Sequence, residues 1–497
     1  MAEPFYITTA ISYPNGRPHI GHAYEAITAD VIARFQRAQG RDVRFQTGTD
    51  EHGLKMVQAA REGGMEPAAY AAEMSSIFQQ MCDTLDVKYD SFIRTSEPGH
   101  HRASQAIWTA MEERGDLYIG RYEGWYSVRD EAFYDESELT EGEGGEKLSP
   151  QGSPVEWTAE ESWFFRLSAY QQKLLDHYEA NPHFIQPDSR RNEVLRFVEG
   201  GLSDLSISRT SFDWGVPAPG KPGHVMYVWL DALTNYITGL GYPDDTELFQ
   251  RYWPADVHLI GKDVVRFHAV YWPAFLMSAG IALPRQVYGH GFLLSSGEKM
   301  SKSVGNVVDP FALADRFGVD ALRYFLLREV PFGQDGSYSP EAIVNRVNAE
   351  LANSFGNLAQ RTLSMIYKNL DGKVPPAGAA AEDVALLELV RSVCETDVPA
   401  EFERFAFASG LEAWMGAVFA CNAYVDAQAP WALRKADPKR MAEVLGTLAE
   451  AIQVLAVAVE PAIPDSARKL IDFIQQVPIS QPVPIFPRLE LEGEAEE

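Results

Sequence analysis

The sequence predicts an α/β protein: a doubly wound parallel sheet, interrupted by an inserted subdomain and followed by a separate α-helical domain. Three observations carry this. Short β-branched and aromatic runs alternate with helical patterns near the start of the chain. The same alternation resumes around Val257 after a segment of different texture, and strand signals vanish from Ser339 onward.

The first strand is the run Phe5–Ile11, ended by the turn signal Pro14-Asn15-Gly16. A helical pattern follows over Ile20–Gln39 and closes at Gly40. Val43–Gly48 reads as a second strand, Tyr89–Thr95 as a third and His100–Arg114 as a helix. Strand, turn, helix, strand at this spacing belongs to a parallel sheet. From Tyr118 to Gly223 short aromatic pieces lead into Glu136–Gly145, too acidic and glycine-rich for a core, and helical patterns return over Ala169–Ala180 and Asp188–Gly200. This stretch is read as the insertion. A strand at Val257–Gly261, a helix over Val264–Ala279 and a strand near Gln286–Leu293 then resume the sheet. Beyond it, Ala342–Leu370, Glu382–Thr396, Phe405–Ala427 and Met441–Val459 carry apolar residues at helical spacing, separated by Pro and Gly. The Pro-rich stretch Pro478–Pro487 is expected to pack as an extended strap, and the acidic tail Glu490–Glu497 to fray.

With 497 residues, 46% hydrophobic and 23% charged, the chain has ordinary globular composition and room for several cores. Cys82, Cys394 and Cys421, scattered and odd in number, exclude a disulfide scaffold and fit a reducing compartment. The start, MAEPFYITTA, lacks the basic residues and apolar run of a signal peptide, and no uncharged apolar stretch reaches the roughly 18 residues of a membrane span. A cytoplasmic protein without a membrane partner is expected. Against 43 Lys+Arg stand 70 Asp+Glu, a net charge of −27, which taken alone argues against nucleic acid as a partner.

Two motifs suit phosphate. Pro18-His19-Ile20-Gly21-His22 falls where the first strand has ended and the first helix begins, where free backbone N–H groups and the helix dipole favour an anion. Two imidazoles add hydrogen bonds there, and Gly21 leaves room for close approach. Gly297-Glu298-Lys299-Met300-Ser301-Lys302-Ser303 offers two ammonium groups suited to a polyphosphate. Alone, the first is as readily a polar turn and the second a solvated basic loop. Their pairing, one at each half of a split sheet, is far more specific.

Together with Ser12-Tyr-Pro-Asn-Gly16, Thr47-Gly-Thr-Asp-Glu-His-Gly53, Val228-Trp-Leu-Asp-Ala232, Ile260-Gly-Lys-Asp-Val-Val-Arg-Phe-His268, Tyr271-Trp-Pro273 and Gln428-Ala-Pro-Trp431, these motifs give the chain a family. From Phe5 to Pro487 it resembles the class I aminoacyl-tRNA synthetases, and more narrowly the bacterial methionyl-tRNA synthetases. The resemblance implies a Rossmann-type catalytic domain in two halves, 1–116 and 224–293, around a connective insertion at 117–223. A KMSKS loop and stem-contact region at 294–340 and a helical anticodon-binding domain at 341–497 would follow.

The implied activity joins L-methionine to ATP as methionyl-adenylate, releasing pyrophosphate, and transfers methionyl to the 3′-terminal adenosine of initiator and elongator tRNA(Met). The attacking carboxylate is already ionised, so catalysis is mainly positioning and charge stabilisation. The resemblance implies that His19, His22, Lys299 and Lys302 are catalytic. ATP would be held by His19, Gly21, His22, Glu25, Gly261, Asp263, Leu293, Lys299 and Lys302, with Asp263 at the ribose and Leu293 near the adenine. Mg²⁺ would arrive with the nucleotide. Asp50 would take the methionine ammonium. Ile11, Tyr13, Trp229, Ala232, Tyr236, Val264, Phe267, His268 and Tyr271 match the side-chain pocket, where aromatic edges suit a polarizable sulfur. Leu233 stands where some relatives carry Pro.

Homocysteine is the hard competitor, since one methylene discriminates by only about 1–3 kcal/mol. An insertion of this length is too short for a large hydrolytic editing domain, so none is expected. Many relatives bind zinc in the insertion through cysteine knuckles. Here neither Cys nor His occurs between His101 and His177, and Ser127, Ser149 and Gln151 occupy ligand positions. A zinc-free member is expected. For the RNA, the resemblance implies that Asn353, Asn357 and Arg361, four apart on one helix face, read a CAU anticodon, with Pro430 and Trp431 as a stacking platform. Taken alone these are a polar helix face and a core Trp. The chain stops soon after the helical domain, without the appended dimerising module of some relatives, so a monomer is expected. The alternatives are another class I synthetase for an aliphatic amino acid, or a nucleotidyltransferase without an RNA partner.

Residues 341–497 hold 13 Lys+Arg against 23 Asp+Glu, a net of −10. Bulk acidity excludes promiscuous RNA binding and leaves selective recognition open.

Overall fold

A computed structural model describes residues 2–130, 132–142, 145–295, 298–299 and 307–491. They fall into two compact units: Met1–Pro18, Gln36–Asp83 and Val87–His290 form the first, and His19–Phe35, Thr84–Asp86 and Gly291–Glu497 the second.

The first unit is built on a parallel sheet. Its strands are β1 (Pro4–Thr9), β2 (Asp42–Thr49), β3 (Ser91–Arg94), β4 (Ile185–Gln186), β5 (Val257–Gly261) and β6 (Val287–His290), in the spatial order β3-β2-β1-β5-β6-β4. All but the first residue of β1 are buried, as a strand covered on both faces requires, and its sequence PFYITT is accordingly β-branched and aromatic. β1 pairs with β2 on one side and β5 on the other, with Ile7 opposite both Phe45 and Val257. Strand order therefore reverses between β1 and β5. In open parallel sheets ligands bind beyond the carboxyl ends of the strands at such a switch.

β4 comes from within the inserted segment, so that segment contributes an edge to the main sheet. Two residues are too few to carry a period, and the sequence reading passes over them. The aromatic pieces after residue 117 form one long antiparallel pair, Leu117–Ser127 against Glu156–Phe165, in register from Leu117↔Phe165 to Tyr126↔Glu156. The helices Gln171–Ala180 and Asp188–Glu199 fall where the helical patterns place them. Helices Leu54–Glu62 and Pro67–Thr84, between β2 and β3, are further elements not read from sequence. Between Met226 and β5 lies a nearly fully buried helix, Val228–Thr238.

The second unit takes in most of the helix α1 (Ile20–Ala38). The strand expected at Gln286–Leu293 is broken: β6 ends at His290, and Leu293–Ser295 pairs with Gly336–Tyr338 in a separate small sheet. Gly291 is the reason. Its backbone lies so close to Gln334 that a Cβ would stand 2.1 Å from the Gln334 carbonyl oxygen. From Pro340 onward the described residues are helical apart from loops, with long helices at Phe407–Gln428 and Pro438–Val459. Pro438–Val459 is long and apolar enough to cross a membrane, yet its apolar face is buried in this unit, and the Trp414 indole donates to Leu455 O at 2.9 Å. The Pro-rich segment does pack as an extended strap: Ile479 and Phe486 are buried, and Ile479 N donates to Gly372 O.

Candidate active site

The residues expected to hold the amino acid fall at or beyond the carboxyl ends of β1, β2 and β5 and on the helix Val228–Thr238, all in the first unit. Ile11 and Tyr13 follow β1, Asp50 follows β2, Gly261 ends β5, and Asp263 and Val264 come just after it. Trp229, Ala232 and Tyr236 lie on the helix Val228–Thr238, which buries Ala232 and Tyr236 and leaves Trp229 half-buried. Asp50 is 7% exposed, and its N–H donates to Ser12 O at 2.9 Å. The Tyr13 hydroxyl donates to His52 O at 2.6 Å.

The helix expected over Val264–Ala279 contains a wide turn at Phe267–Tyr271, where Trp272 N–H bonds back to Phe267 O. Pro273 explains it. Proline has no N–H for the Ala269 carbonyl one turn earlier, and the Tyr178 hydroxyl donates to that carbonyl instead, at 2.5 Å. Such turns occur frequently at functional sites. Here Phe267 stacks on Trp229 with centroids 3.7 Å apart and planes 7° from parallel, and meets Tyr271 edge-on at 5.5 Å. The Trp229 indole nitrogen is buried and makes no hydrogen bond among the described residues.

His268 is held in one tautomer. Its Nδ1 faces Val264 O at 2.9 Å and must donate, so in the neutral ring Nε2 accepts from the Tyr236 hydroxyl at 2.6 Å. Burial pushes this imidazole down to about 4, and burial likewise takes the neighbouring His258 well below its ordinary value. Both rings are neutral at pH 7. An unfolded histidine binds a proton from about pH 6.5 downward while the folded one does not, so stability is full above that pH and falls toward pH 4. A His268→Gln variant is expected to lose stability less steeply than the parent in urea titrations across that window. An identical slope would contradict this.

In the second unit, His19 immediately precedes α1 and its ring folds back over the helix start. Gly21 N–H donates to His19 Nδ1 at 3.0 Å, His19 N–H donates to His22 Nδ1 at 3.1 Å, and the two rings lie 3.9 Å apart. Both Nδ1 atoms accept, so both rings are neutral with the proton on Nε2. The space above Gly21, expected to be open for a ligand, is filled by that ring: a Cβ would stand 2.8 Å from His19 Cε1. Glu25 lies on α1, and Leu293 is buried at the start of its short strand. Lys299 is described only through its backbone, paired with Leu294, and Lys302 lies outside the described residues.

Further along this unit, Asn353, Asn357 and Arg361 are all exposed. Asn353 lies in a widened helical stretch, Val347–Gly356, and Asn357 opens the α-helix Asn357–Asn369. The Arg361 guanidinium sits 5.4 Å from the Trp431 ring centroid, and Trp431 is 50% exposed, which removes the reading of a core tryptophan. Pro430 is buried in the first turn of Pro430–Ala436, so it orients Trp431 and offers no face of its own.

Where relatives were expected to bind zinc, a carboxylate stands among hydroxyls. Asp130 accepts from Ser149 at 2.5 Å, Ser153 at 2.6 Å and Tyr134 at 3.1 Å, while its N–H donates to Ser127 Oγ at 3.2 Å. Neither thiolate nor imidazole belongs to this cluster, so its donor set does not fit a tetrahedral N/S site.

One constellation escaped the sequence reading. Asp231, fully buried, accepts from His52 Nδ1 and His100 Nε2, each at 2.7 Å. His52 and Asp231 both stand in quoted motifs, but their pairing spans 179 residues and has no local signal.

Residues 5–363 match the family model described as tRNA synthetases class I (M), and residues 376–487 match the anticodon binding domain of methionyl tRNA ligase. The chain belongs to the class I aminoacyl-tRNA synthetases, in their methionyl family. It is 60% identical over 477 residues to a methionine–tRNA ligase of Brucella suis, covering 95% of this chain and 92% of that one. The corresponding protein of Mycobacterium bovis is 58% identical, with 96% and 93% covered. The solved Mycobacterium tuberculosis methionyl-tRNA synthetase in complex with methionyl-adenylate superposes with a TM-score of 0.95 at 55% identity, covering 98% of this chain and 100% of that one.

Proposed function

We propose that this chain is a methionine–tRNA ligase that activates L-methionine with ATP, releases pyrophosphate, and transfers the methionyl group to the 3′-terminal adenosine of tRNA(Met). The observation that carries the reading is the aromatic cluster of Trp229, Phe267 and Tyr271, with buried Asp50 just beyond a strand end of the same unit. Methionine presents one ammonium and one neutral thioether. Asp50 supplies charge for the first. The stacked Trp229 and Phe267, with a His268 kept neutral by burial and by Tyr236, give the sulfur polarizable ring surface and no full charge.

The reaction needs no general base. His19 and His22, each with its proton on Nε2, are hydrogen-bond donors for phosphate oxygens, and Lys299 and Lys302 neutralise the departing pyrophosphate. Gly261, Asp263 and Leu293 serve the nucleoside, and Mg²⁺ is carried by the triphosphate. Pyrophosphate exchange with each of the twenty amino acids tests the reading: methionine should support it, and exchange with leucine but not methionine would overturn it.

The same reading makes the protein a monomer without structural zinc, of the bacterial type. Asp130, its oxygens taken by three hydroxyls, does by hydrogen bonding what a metal does in cysteine-bearing relatives. Metal analysis of the purified protein should find zinc well below one equivalent; a stoichiometric ion that resists chelation would count against this.

Asn353, Asn357 and Arg361 read the CAU anticodon, and the exposed Trp431 stacks on a base. Stacking of this kind is worth about 1–3 kcal/mol, so Trp431→Ala should weaken tRNA charging by about ten- to a hundredfold. Pyrophosphate exchange without tRNA should be unaffected. Equal loss in both assays would assign Trp431 to the fold.

A further inference from the structure

The pocket helix Val228–Thr238 and the loop that follows β2 are joined by a buried carboxylate. Asp231 has no exposed surface, and its carboxylate binds two imidazoles: His52 of the loop and His100 of the helix Pro98–Glu113. His100 is itself secured, with Thr238 Oγ1 3.0 Å from Nδ1 and Ser104 Oγ 3.2 Å from Nε2. His52 is 2% exposed, with the rings of Trp214 and His101 packed at 5.3 and 5.2 Å. Burial alone would raise the Asp231 carboxyl; the two imidazoles outweigh it and hold the group ionised. A buried carboxylate with two donors at 2.7 Å is costly to displace, so the pairs set a distance.

The distance in question is a recognition distance. The helix that holds Asp231 also carries Trp229, Ala232 and Tyr236, while the loop that holds His52 begins with Asp50. The rest of the loop is fixed by its neighbours. Arg94 binds the Glu51 carboxylate through two hydrogen bonds, at 2.7 and 3.1 Å, Ser96 donates to the same group, and Trp214 Nε1 donates to Glu51 O at 2.6 Å. His52 links this loop to the pocket helix through Asp231.

We propose that Asp231, acting through His52, is a positioning residue for amino-acid selection: it sets the spacing between the Asp50 carboxylate and the side-chain pocket. The proposal rests on the reading of Asp50 as the ammonium acceptor. An amino acid is accepted when its ammonium and its side chain span that spacing together. His100 binds the other oxygen of the same carboxylate at the same distance, yet lies on a helix that carries no pocket residue. The two histidines are therefore matched in bonding and differ in what they connect.

The test compares full-length His52→Ala and His100→Ala in methionine-dependent pyrophosphate exchange, with KM measured for methionine and for ATP and melting temperature recorded. Loss of His52 is expected to raise the methionine KM about tenfold and leave the ATP KM within about twofold, whereas loss of His100 costs comparable melting temperature and moves the methionine KM less than about threefold. His52→Asn, whose amide nitrogen reproduces the Nδ1 donor, should restore methionine KM to within about threefold of the parent. His52→Gln keeps most of the volume while displacing the donor, and is read as the loss variant if the alanine form does not fold. Equal KM changes at His52 and His100, a parallel rise for ATP, or no rescue by asparagine would overturn the proposal. Asp50→Asn runs alongside. An unchanged methionine KM there overturns the Asp50 reading and the proposal with it, while a raised KM there beside an unchanged one in His52→Ala overturns the positioning role alone.

Discussion

Replacing His22 with alanine is expected to slow methionine-dependent pyrophosphate exchange by about 10²–10³-fold, the usual cost of removing one preorganised donor from a site of developing charge. The magnitude follows from how the histidines are held. Each Nδ1 already accepts a backbone N–H of the turn that starts α1, which forces the proton onto Nε2 without any change in protonation during the reaction. A donor that need not reorient is worth more than a mobile one. The two rings are also interdependent, since His22 Nδ1 receives the His19 N–H, so the double variant should lose less than the product of the single losses. His22→Asn can place its amide oxygen where Nδ1 was and accept from the His19 N–H, but its nitrogen then stands short of the Nε2 position and does not donate there. It should stay close to the alanine variant in rate while keeping the parent melting temperature. A rate within about threefold of the parent for either variant would remove His22 from the chemistry.

What could be read from sequence divides along the range of the interactions. β1, β2 and β5 announce themselves, because buried parallel strands need continuous β-branched and aromatic runs and turn residues to end them. The two-residue strand Ile185–Gln186 does not, since it is held by its neighbour Val287–His290 and not by any pattern of its own. The widened turn at Phe267–Tyr271 is legible in hindsight from Pro273, whose missing N–H was there to count. The break at Gly291 is not, because what crowds that backbone lies more than forty residues further on. In the candidate site, motif matching named the turn at the start of α1 and the aromatic cluster of Trp229 and Phe267 by residue. It missed what orients them. The Tyr236–His268 hydrogen bond, the Asp231 pair and the Asp130 cluster are all contacts between distant segments, set by packing. Gly21 shows the same limit from the other side: the residue type was right for a crowded turn, but the group that crowds it is the protein's own His19. Exposure separated the two platform residues, leaving Trp431 available and Pro430 buried.

Replacing Arg323 with methionine should destabilise the second unit by about 3–5 kcal/mol, the usual consequence of removing one member of a buried ion pair. Arg323 and Asp30 are both fully buried, with Nη2 2.6 Å from the carboxylate. The guanidinium spends its other hydrogens on backbone: Nε on Ala462 O, Nη1 on Leu85 O and Nη2 on Pro461 O, each at 3.1 Å, and Nη1 also on Asp86 O at 3.4 Å. One side chain thus ties α1, the short 84–86 segment and the end of the helical region within this unit. Methionine fills much of the volume, so the loss measures polar groups left unsatisfied more than a cavity. Asp30 also pairs with Arg34 at 2.7 Å, which holds the expected cost within that range. The decisive comparison is the double variant in which Asp30→Leu accompanies Arg323→Met. If an uncompensated buried carboxylate is the main cost, the double variant should regain at least about half of the loss in urea denaturation, because both charges leave together. If the four carbonyls are the main cost, the double variant should be as unstable as the single one, since they lose the guanidinium in both. A single variant within about 1 kcal/mol of the parent would mean that water or a shifted backbone reaches those carbonyls once the guanidinium is gone.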